Sequence, residues 1–450
     1  MNPDFATLKK MMKVHGVQRL LFKRLSPNDN SKNQPYFGPD LTSLGFIPTG
    51  EIKGTPTTSD KPKKSQVKFL APLDFGWLDD EAKVASAPDA KLIFYPQYPE
   101  VRFSGFLRGC TAAPSELMDP HRRGREEGRI LFVGIRPDQK IIGYLASADS
   151  DLARYLTGKC DFVSQGVFEE VPITYAAPPL DSRLELLQQL GRISAKGWID
   201  SKRLQADGTS IGYNAPNGGG FTLEAEFGIT PNGYSEPDFQ GWEIKQYAVR
   251  NLSKPSGGRI TLMTPEPNGG FYRDRGVEEF LLQFGYPDTR GRDRLNFCGT
   301  HKVRARHQRT GLTLTMPGFD AESRELTDPS SGLCLVDDAG RAAATWSYAS
   351  ILEHWKRKHA QAVYVPSVRR RAPKLQYRFA NKVDLGTGTG MTLLLGAMAE
   401  GTVFYDPGII MKDASGTRRP IKRRSQFRVT ATNLHTLYDS FDRVSVDDYA

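Results

Sequence analysis

Cysteine is scarce and scattered. The 450 residues hold four, Cys110, Cys160, Cys298 and Cys334, widely spaced and with no CxxC pair. That excludes a structural zinc ribbon and a disulfide framework, and makes a reducing, cytoplasmic setting the expectation. Long apolar runs are also missing. The longest, Met391–Met398, falls far short of the roughly 18 residues that span a bilayer, so no membrane partner is expected. The opening Met1-Asn2-Pro3-Asp4 lacks a basic stretch followed by an apolar one, and a secretory signal is not expected. A nucleotide-binding loop is missing as well. Gly386-Thr387-Gly388-Thr389-Gly390 has no Walker lysine, and Met391 occupies the last glycine position of GxGxxG, so a flexible turn and no nucleotide cofactor are expected. No internal repeat is visible.

What is present is globular: 38% hydrophobic, 10% aromatic and 25% charged residues, in a length that suits two or three domains of roughly 100–200 residues. Loop-like Ser26–Pro39 and Gly54–Lys64 precede short strand-like runs at Gln66–Leu70, Lys91–Tyr95, Val101–Leu107, Arg129–Ile135 and Lys140–Leu145. Asp149–Leu156 reads as a short helix, and Val171–Pro179 as an exit linker. Strands at this spacing suggest an all-β barrel or sandwich, and residues 1–178 are therefore expected to form a β-rich, barrel-like domain with a DNA-recognition or regulatory role. From Asp181 the texture changes. Ser182-Arg183-Leu184-Glu185 matches a capping box, with Leu184, Leu187, Leu190 and Ile193 at helical spacing. Thr222–Gly228 and Val277–Phe284 read as helices, and Gly218–Gly220 as a mobile loop. Phe239–Val249, Ile260–Thr264, Leu312–Met316, Ala362–Val365, Thr402–Tyr405 and Gln426–Thr430 read as strands. Mixed elements of this kind predict one α/β (α+β) domain over 179–450, a mixed sheet flanked by helices.

Within that domain, Thr222-Leu223-Glu224 is followed by Pro237-Asp238 and then Gly241-Trp242-Glu243-Ile244-Lys245. Glu243 and Lys245 are two apart on a strand and so share a face. A bend at Gly241 would bring Asp238 beside Glu243, and Glu224 precedes the loop on a helix. Three carboxylates and one ammonium suit metal-assisted phosphodiester hydrolysis. Hard oxygen ligands hold Mg²⁺, which activates water, while the lysine orients that water, offsets phosphate charge or, if burial lowers its pKa, acts as a base. D-x4-E-x-K alone is common on solvated strand edges. The helix–loop–strand junction around it adds the weight.

These residues, with Gly228-Ile229, Asn232-Gly233 and Ile260-Thr261-Leu262-Met263-Thr264-Pro265-Glu266-Pro267, resemble the MvaI/BcnI-like restriction endonucleases of the PD-(D/E)xK superfamily and their relative MutH. The resemblance implies a restriction-endonuclease-like core, with Asp238, Glu243 and Lys245 in the metal-binding and catalytic positions. Glu224 falls in the position of the auxiliary carboxylate, itself a candidate metal ligand. It implies Mg²⁺ as cofactor with Mn²⁺ as a substitute, double-stranded DNA as substrate, and a bacterial restriction or anti-phage role beside a cognate methyltransferase or defence-system partner. A MutH-like nicking enzyme activated by a partner and a catalytically silent DNA-binding protein are the alternatives. Near the N-terminus, Lys23-Arg24-Leu25-Ser26-Pro27-Asn28-Asp29-Asn30 with Gln34, and Arg102-Phe103-Ser104-Gly105-Phe106-Leu107, are similar to the EcoRII-type DNA-recognition pseudobarrel, although insertions such as Ala71–Ala90 depart from it.

Lys plus Arg number 61 against 51 Asp plus Glu, a net charge of +10. Lys356 to Arg428 carries 16 basic and 4 acidic residues, whereas residues 1–180 carry 24 and 21. The surplus thus lies in the domain with the carboxylates. Lys356-Arg357-Lys358, Arg369-Arg370-Arg371 and Lys422-Arg423-Arg424 are candidate phosphate contacts, as are His301, Lys302, Arg304, Arg306 and His307 in the basic stretch Thr300–His307.

Overall fold

A computed structural model describes residues 3–27, 33–55, 67–157, 162–171, 181–230, 237–255 and 257–449. These fall into two compact units that divide between Asp181 and Ser182. Cys160, Asn232-Gly233 and most of the expected exit linker lie outside the described residues.

The first unit is β-rich. Seven strands form one sheet in the order Val163–Gln165, Phe168–Val171, Arg19–Leu25, Arg129–Ile135, Ile141–Ala146, Phe75–Leu78, Val84–Ser86. Five form a second, in the order Tyr36–Gly38, Glu100–Ser104, Lys91–Tyr95, Phe69–Pro72, Lys53–Gly54. Every residue of Arg129–Ile135 and Ile141–Ala146 is buried, because both faces of these central strands are covered. Leu8 and Met12 of the helix Phe5–Val14 pack against Leu20, Phe22 and Phe132 on one face. Phe75 of the larger sheet meets Phe103 of the smaller at 5.1 Å between ring centres. The barrel expectation is corrected: among the described residues neither sheet closes on itself. The edge strands Val84–Ser86 and Val163–Gln165 are three residues long and pair on one side only, so the core is closed by aromatic packing between open sheets. The Ala71–Ala90 insertion supplies two strands of the larger sheet.

The second unit is α+β. Its central feature is the strand Gln361–Arg370. It pairs in parallel with Glu243–Ala248 and antiparallel with Gln376–Phe379 and Lys382–Thr387, and the last of these pairs with Ser440–Ser445. Ile199–Asp200 completes the mixed six-stranded sheet. The helix Ser182–Ala195 packs Leu186, Leu187, Leu190 and Ile193 against Ile244, Val363, Val365 and Leu385. Ser182 is the first helical residue rather than a cap preceding it, and its hydroxyl accepts from Trp242 Nε1 at 3.3 Å. The expected strand Phe239–Val249 is shorter, Glu243–Ala248, because a turn takes its first residues. The helix at Val277–Phe284 extends back to Phe271, with a kink at Gly276. The Gly386–Gly390 run is no free loop: Gly386 and Thr387 end a strand, Gly386 lies so close that a Cβ would sit 2.6 Å from the Tyr438 ring, and Gly390 caps the helix Met391–Ala399. Among the described residues no helix is long and apolar enough to cross a membrane.

His301 is fully buried, 4.2 Å from the His307 ring and 5.3 Å from that of Phe297. Its ring nitrogens meet Gly299 O at 3.1 Å and Thr310 Oγ1 at 3.0 Å. Burial, reinforced by His307, pushes the imidazole down from 6.5 to about 3. Below pH 6.5 the unfolded chain therefore takes up a proton that the folded chain refuses until about pH 3. Stability is lost as pH falls through that window, by up to about 1.4 kcal/mol per pH unit from this group alone. His301→Phe is expected to flatten the dependence of the urea midpoint on pH between 6.5 and 5; an unchanged slope would refute it.

Candidate active site

The turn before the strand Glu243–Ala248 decides where Asp238 goes. Phe239 and Trp242 exchange both backbone hydrogen bonds, at 3.0 and 2.7 Å, around Gln240 (φ 45°) and Gly241 (φ 88°). Two consecutive positive φ values define a type I′ hairpin turn, and Gly241 is needed for that conformation, since nothing stands where its Cβ would go. The reversal folds Asp238 back so that its Oδ2 accepts from the Ile244 amide at 2.9 Å. Ile244 points into the core, which leaves Glu243 and Lys245 together on the opposite face.

Glu224 arrives on the helix Gly218–Glu226. The glycines expected to form a mobile loop are its first turn. A Cβ on Gly219 would sit 2.7 Å from Gln246 Oε1, and one on Gly218 2.8 Å from Ser201 Oγ, so the helix lies against the strand that carries Lys245. Thr222 donates to Gly218 O at 2.6 Å and accepts from Lys202 N at 3.1 Å. Glu226 is clamped by Lys196 and Lys202, both at 2.5 Å. Phe227 then stacks edge-on against Phe239, 5.2 Å between centres, tying the helix end to the turn.

Two further groups enter from far along the chain. Glu243 pairs with Ala362 in the parallel ladder, so the residues just before Gln361 stand beside the start of the Glu243–Ala248 strand. They are Lys358, the last residue of the helix Tyr348–Lys358, and His359, its cap. Glu243 is 1% exposed and accepts from Lys245, while Lys358 Nζ lies 3.6 Å from the same carboxylate oxygen. His359 is buried, stacked 4.0 Å from Trp355, and donates from Nε2 to Leu262 O at 2.9 Å. Its Nδ1 and the second oxygen of Glu243, Oε2, are buried without a hydrogen-bond partner among the described residues.

The charges interlock. Burial, then Asp238 and Glu243, outweigh the lysines and push Glu224 up to about 7. Burial and Glu243 push Asp238 up to about 6. Burial alone would raise Glu243, but Lys245 and Lys358 hold it below the usual glutamate value. Burial alone would lower Lys245, yet Glu243, Asp238 and Glu224 hold it above the usual lysine value. It is therefore an ammonium here, not the burial-neutralised base that the sequence left open.

Hard carboxylate oxygens, one of them a buried Glu243 atom with no hydrogen bond, fit a small divalent cation. Among the described residues no three His, Cys, Asp or Glu side chains stand as a ready-made ion cage.

The candidate phosphate contacts divide. Lys302, Arg304, Arg369, Arg370, Arg371, Lys422, Arg423 and Arg424 are exposed. Arg370 lies 4.5 Å over the Trp198 ring, and Arg306 is held bidentately by Asp338 at 2.8 and 2.7 Å. His307 is half-buried, Lys356 is buried, and the Arg357 side chain lies outside what is described. His301 is corrected from a surface contact to a core residue; its aromatic neighbours leave no face for solvent. Lys358, expected as one member of a basic run, stands beside Glu243.

The sequence model of the MvaI/BcnI restriction endonuclease family matches residues 187–438. Among solved structures, the chain is similar to restriction endonuclease MvaI in complex with its cognate DNA substrate, at 18% identity and a TM-score of 0.43 over 59% of this chain and 99% of that one. It is also similar to MvaI in the absence of DNA, at 17% identity and a TM-score of 0.32 over 59% and 98%. No curated protein matches. With more than half of its length matched, the chain belongs to the MvaI/BcnI restriction endonuclease family.

Proposed function

We propose that the protein is a Mg²⁺-dependent endonuclease that hydrolyses phosphodiester bonds in duplex DNA, serving bacterial restriction or anti-phage defence. Residues 179–450 form its PD-(D/E)xK nuclease domain, and residues 1–178 a recognition or regulatory module. The observation that carries the reading is the convergence of Glu224, Asp238, Glu243 and Lys245 on one partly buried patch, joined by Lys358. Asp238 and Glu243 would hold Mg²⁺, with Mn²⁺ as a substitute. When bound, the ion polarises a phosphate oxygen and makes water more acidic. The Lys245 ammonium orients the attacking water and offsets charge gathering on the phosphate oxygens. Glu224 is the further candidate ligand for the ion and would also position that water. Lys358, beside the same Glu243 oxygen as Lys245, adds positive charge for the incoming phosphate.

Supercoiled plasmid incubated with Mg²⁺ is the direct test. Linear product is expected, and EDTA should abolish it; open circle alone would point to a nicking enzyme. Intact plasmid with either Mg²⁺ or Mn²⁺, across DNAs of differing modification, would refute the assignment. Lys358→Ala is expected to lower kcat by on the order of 10²-fold with little change in KM, measured under single-turnover conditions. The exposed Arg369 and Arg371 are proposed phosphate contacts. Arg369→Ala with Arg371→Ala should reduce the slope of log K against log salt by about 2, read from fluorescence anisotropy in EDTA.

A further inference from the structure

The N-terminal unit contains a cavity of about 530 Å³ lined by Lys23, Asn33, Tyr36, Arg102, Met118 and Arg129. Its cations are unusually placed. Arg129 is 1% exposed and has no carboxylate within ion-pair distance among the described residues. Its Nε donates to Glu126 O at 2.7 Å and its Nη1 to Leu117 O. Lys23, on the strand Arg19–Leu25, is half-buried with no ion pair or hydrogen bond among the described residues. Arg102 is the exception, held by Glu100 at 3.0 and 2.7 Å. Two cations therefore line a concave surface with no ion pair among the described residues, Glu126 acting on Arg129 only from longer range. Desolvated charge of that kind is costly unless an anion completes it.

The walls are built rather than accidental. Asn33 donates from Nδ2 to Met118 O at 2.5 Å and to Gly124 O at 2.8 Å, and the Arg129 guanidinium fixes two further carbonyls of the same segment. The space is larger than an inorganic anion needs and falls within the range of small-ligand sites. Leu25, Pro35 and the Tyr36 ring supply apolar surface next to the cations. A planar guanidinium and a nearby ammonium suit a phosphate, and an aromatic ring suits a base.

We propose that this cavity binds one nucleotide, its phosphate between Arg129 and Lys23 and its base or sugar against Tyr36. The nucleotide comes either from a DNA strand or from free mononucleotide.

Isothermal titration of the full chain in EDTA with each of the four 2′-deoxynucleoside 5′-monophosphates tests this. Saturable binding of at least one is expected, weakened about tenfold or more when the uncharged nucleoside replaces it. Lys23→Gln should weaken it about tenfold while leaving the melting temperature unchanged, because Lys23 has no ion pair or hydrogen bond to lose among the described residues. Oligonucleotide that displaces the mononucleotide assigns the site to a DNA strand; failure to displace it assigns the site to free nucleotide. Absence of saturable binding at millimolar ligand, or binding indifferent to Lys23→Gln, would overturn the proposal.

Discussion

Lys245→Ala is expected to reduce Mg²⁺-dependent cleavage of duplex DNA by on the order of 10³-fold or more, while duplex affinity in EDTA changes little. The expectation rests on where the ammonium is held. Lys245 donates to Glu243 and is kept charged by three carboxylates despite its burial. A fixed charge in a partly desolvated pocket acts on the reacting phosphate far more strongly than a solvated one. DNA affinity, in contrast, draws on many exposed cations elsewhere in the domain, of which Lys245 is not one. Single-turnover rates and EDTA binding isotherms on the same DNA separate the two. Cleavage retained within tenfold would remove Lys245 from the chemistry. Equal losses of cleavage and binding would make it a DNA contact instead.

Glu243→Gln should be as damaging to cleavage and should also remove the stabilisation expected from divalent cations. Glu243 is the carboxylate around which the patch is organised: it is almost fully buried, meets Lys245 and Lys358 through one oxygen, and keeps the other without a hydrogen bond. Glutamine preserves the shape but presents one neutral oxygen and a donor amide, which repels rather than holds a cation. It also leaves two ammonium groups facing a neutral side chain. Breaking a buried pair from one side commonly costs about 3–5 kcal/mol, so a lower melting temperature without metal is expected too. The check is a melting curve with and without Mg²⁺ or Mn²⁺. Wild type should rise with the cation and Glu243→Gln should not. A variant that keeps both the metal-induced rise and its cleavage would disprove the ligand assignment.

Much of the fold was readable along the chain. Arg129–Ile135 and Lys91–Tyr95 appear as strands with the expected bounds, since unbroken apolar runs between turn residues leave few alternatives. The helix Tyr348–Lys358 is not legible in the sequence, because its basic end hides the apolar face formed by Ile351, Leu352 and Trp355. Gly218–Gly220 misled in the other direction. Three glycines suggest a loop, yet the close approach of the helix to Gln246 and Ser201 requires residues without side chains at Gly218 and Gly219. Between a barrel and a sandwich the sequence does not decide, for a different reason: strand content is local, whereas closure depends on which edges find partners.

The sequence alone determined the local chemistry of the site. Two-residue spacing places Glu243 and Lys245 on one face of a strand, and Gly241 permits the turn that returns Asp238 to them. Those relations follow from backbone periodicity and from the positive φ that glycine accepts. Tertiary structure decided the rest. Parallel pairing of Glu243 with Ala362 brings Lys358 and His359 across more than a hundred residues to the buried carboxylate, and burial turns His301 from a surface cation into a neutral core ring. Register and desolvation are properties of the assembled sheet and core, so no stretch of sequence holds them by itself.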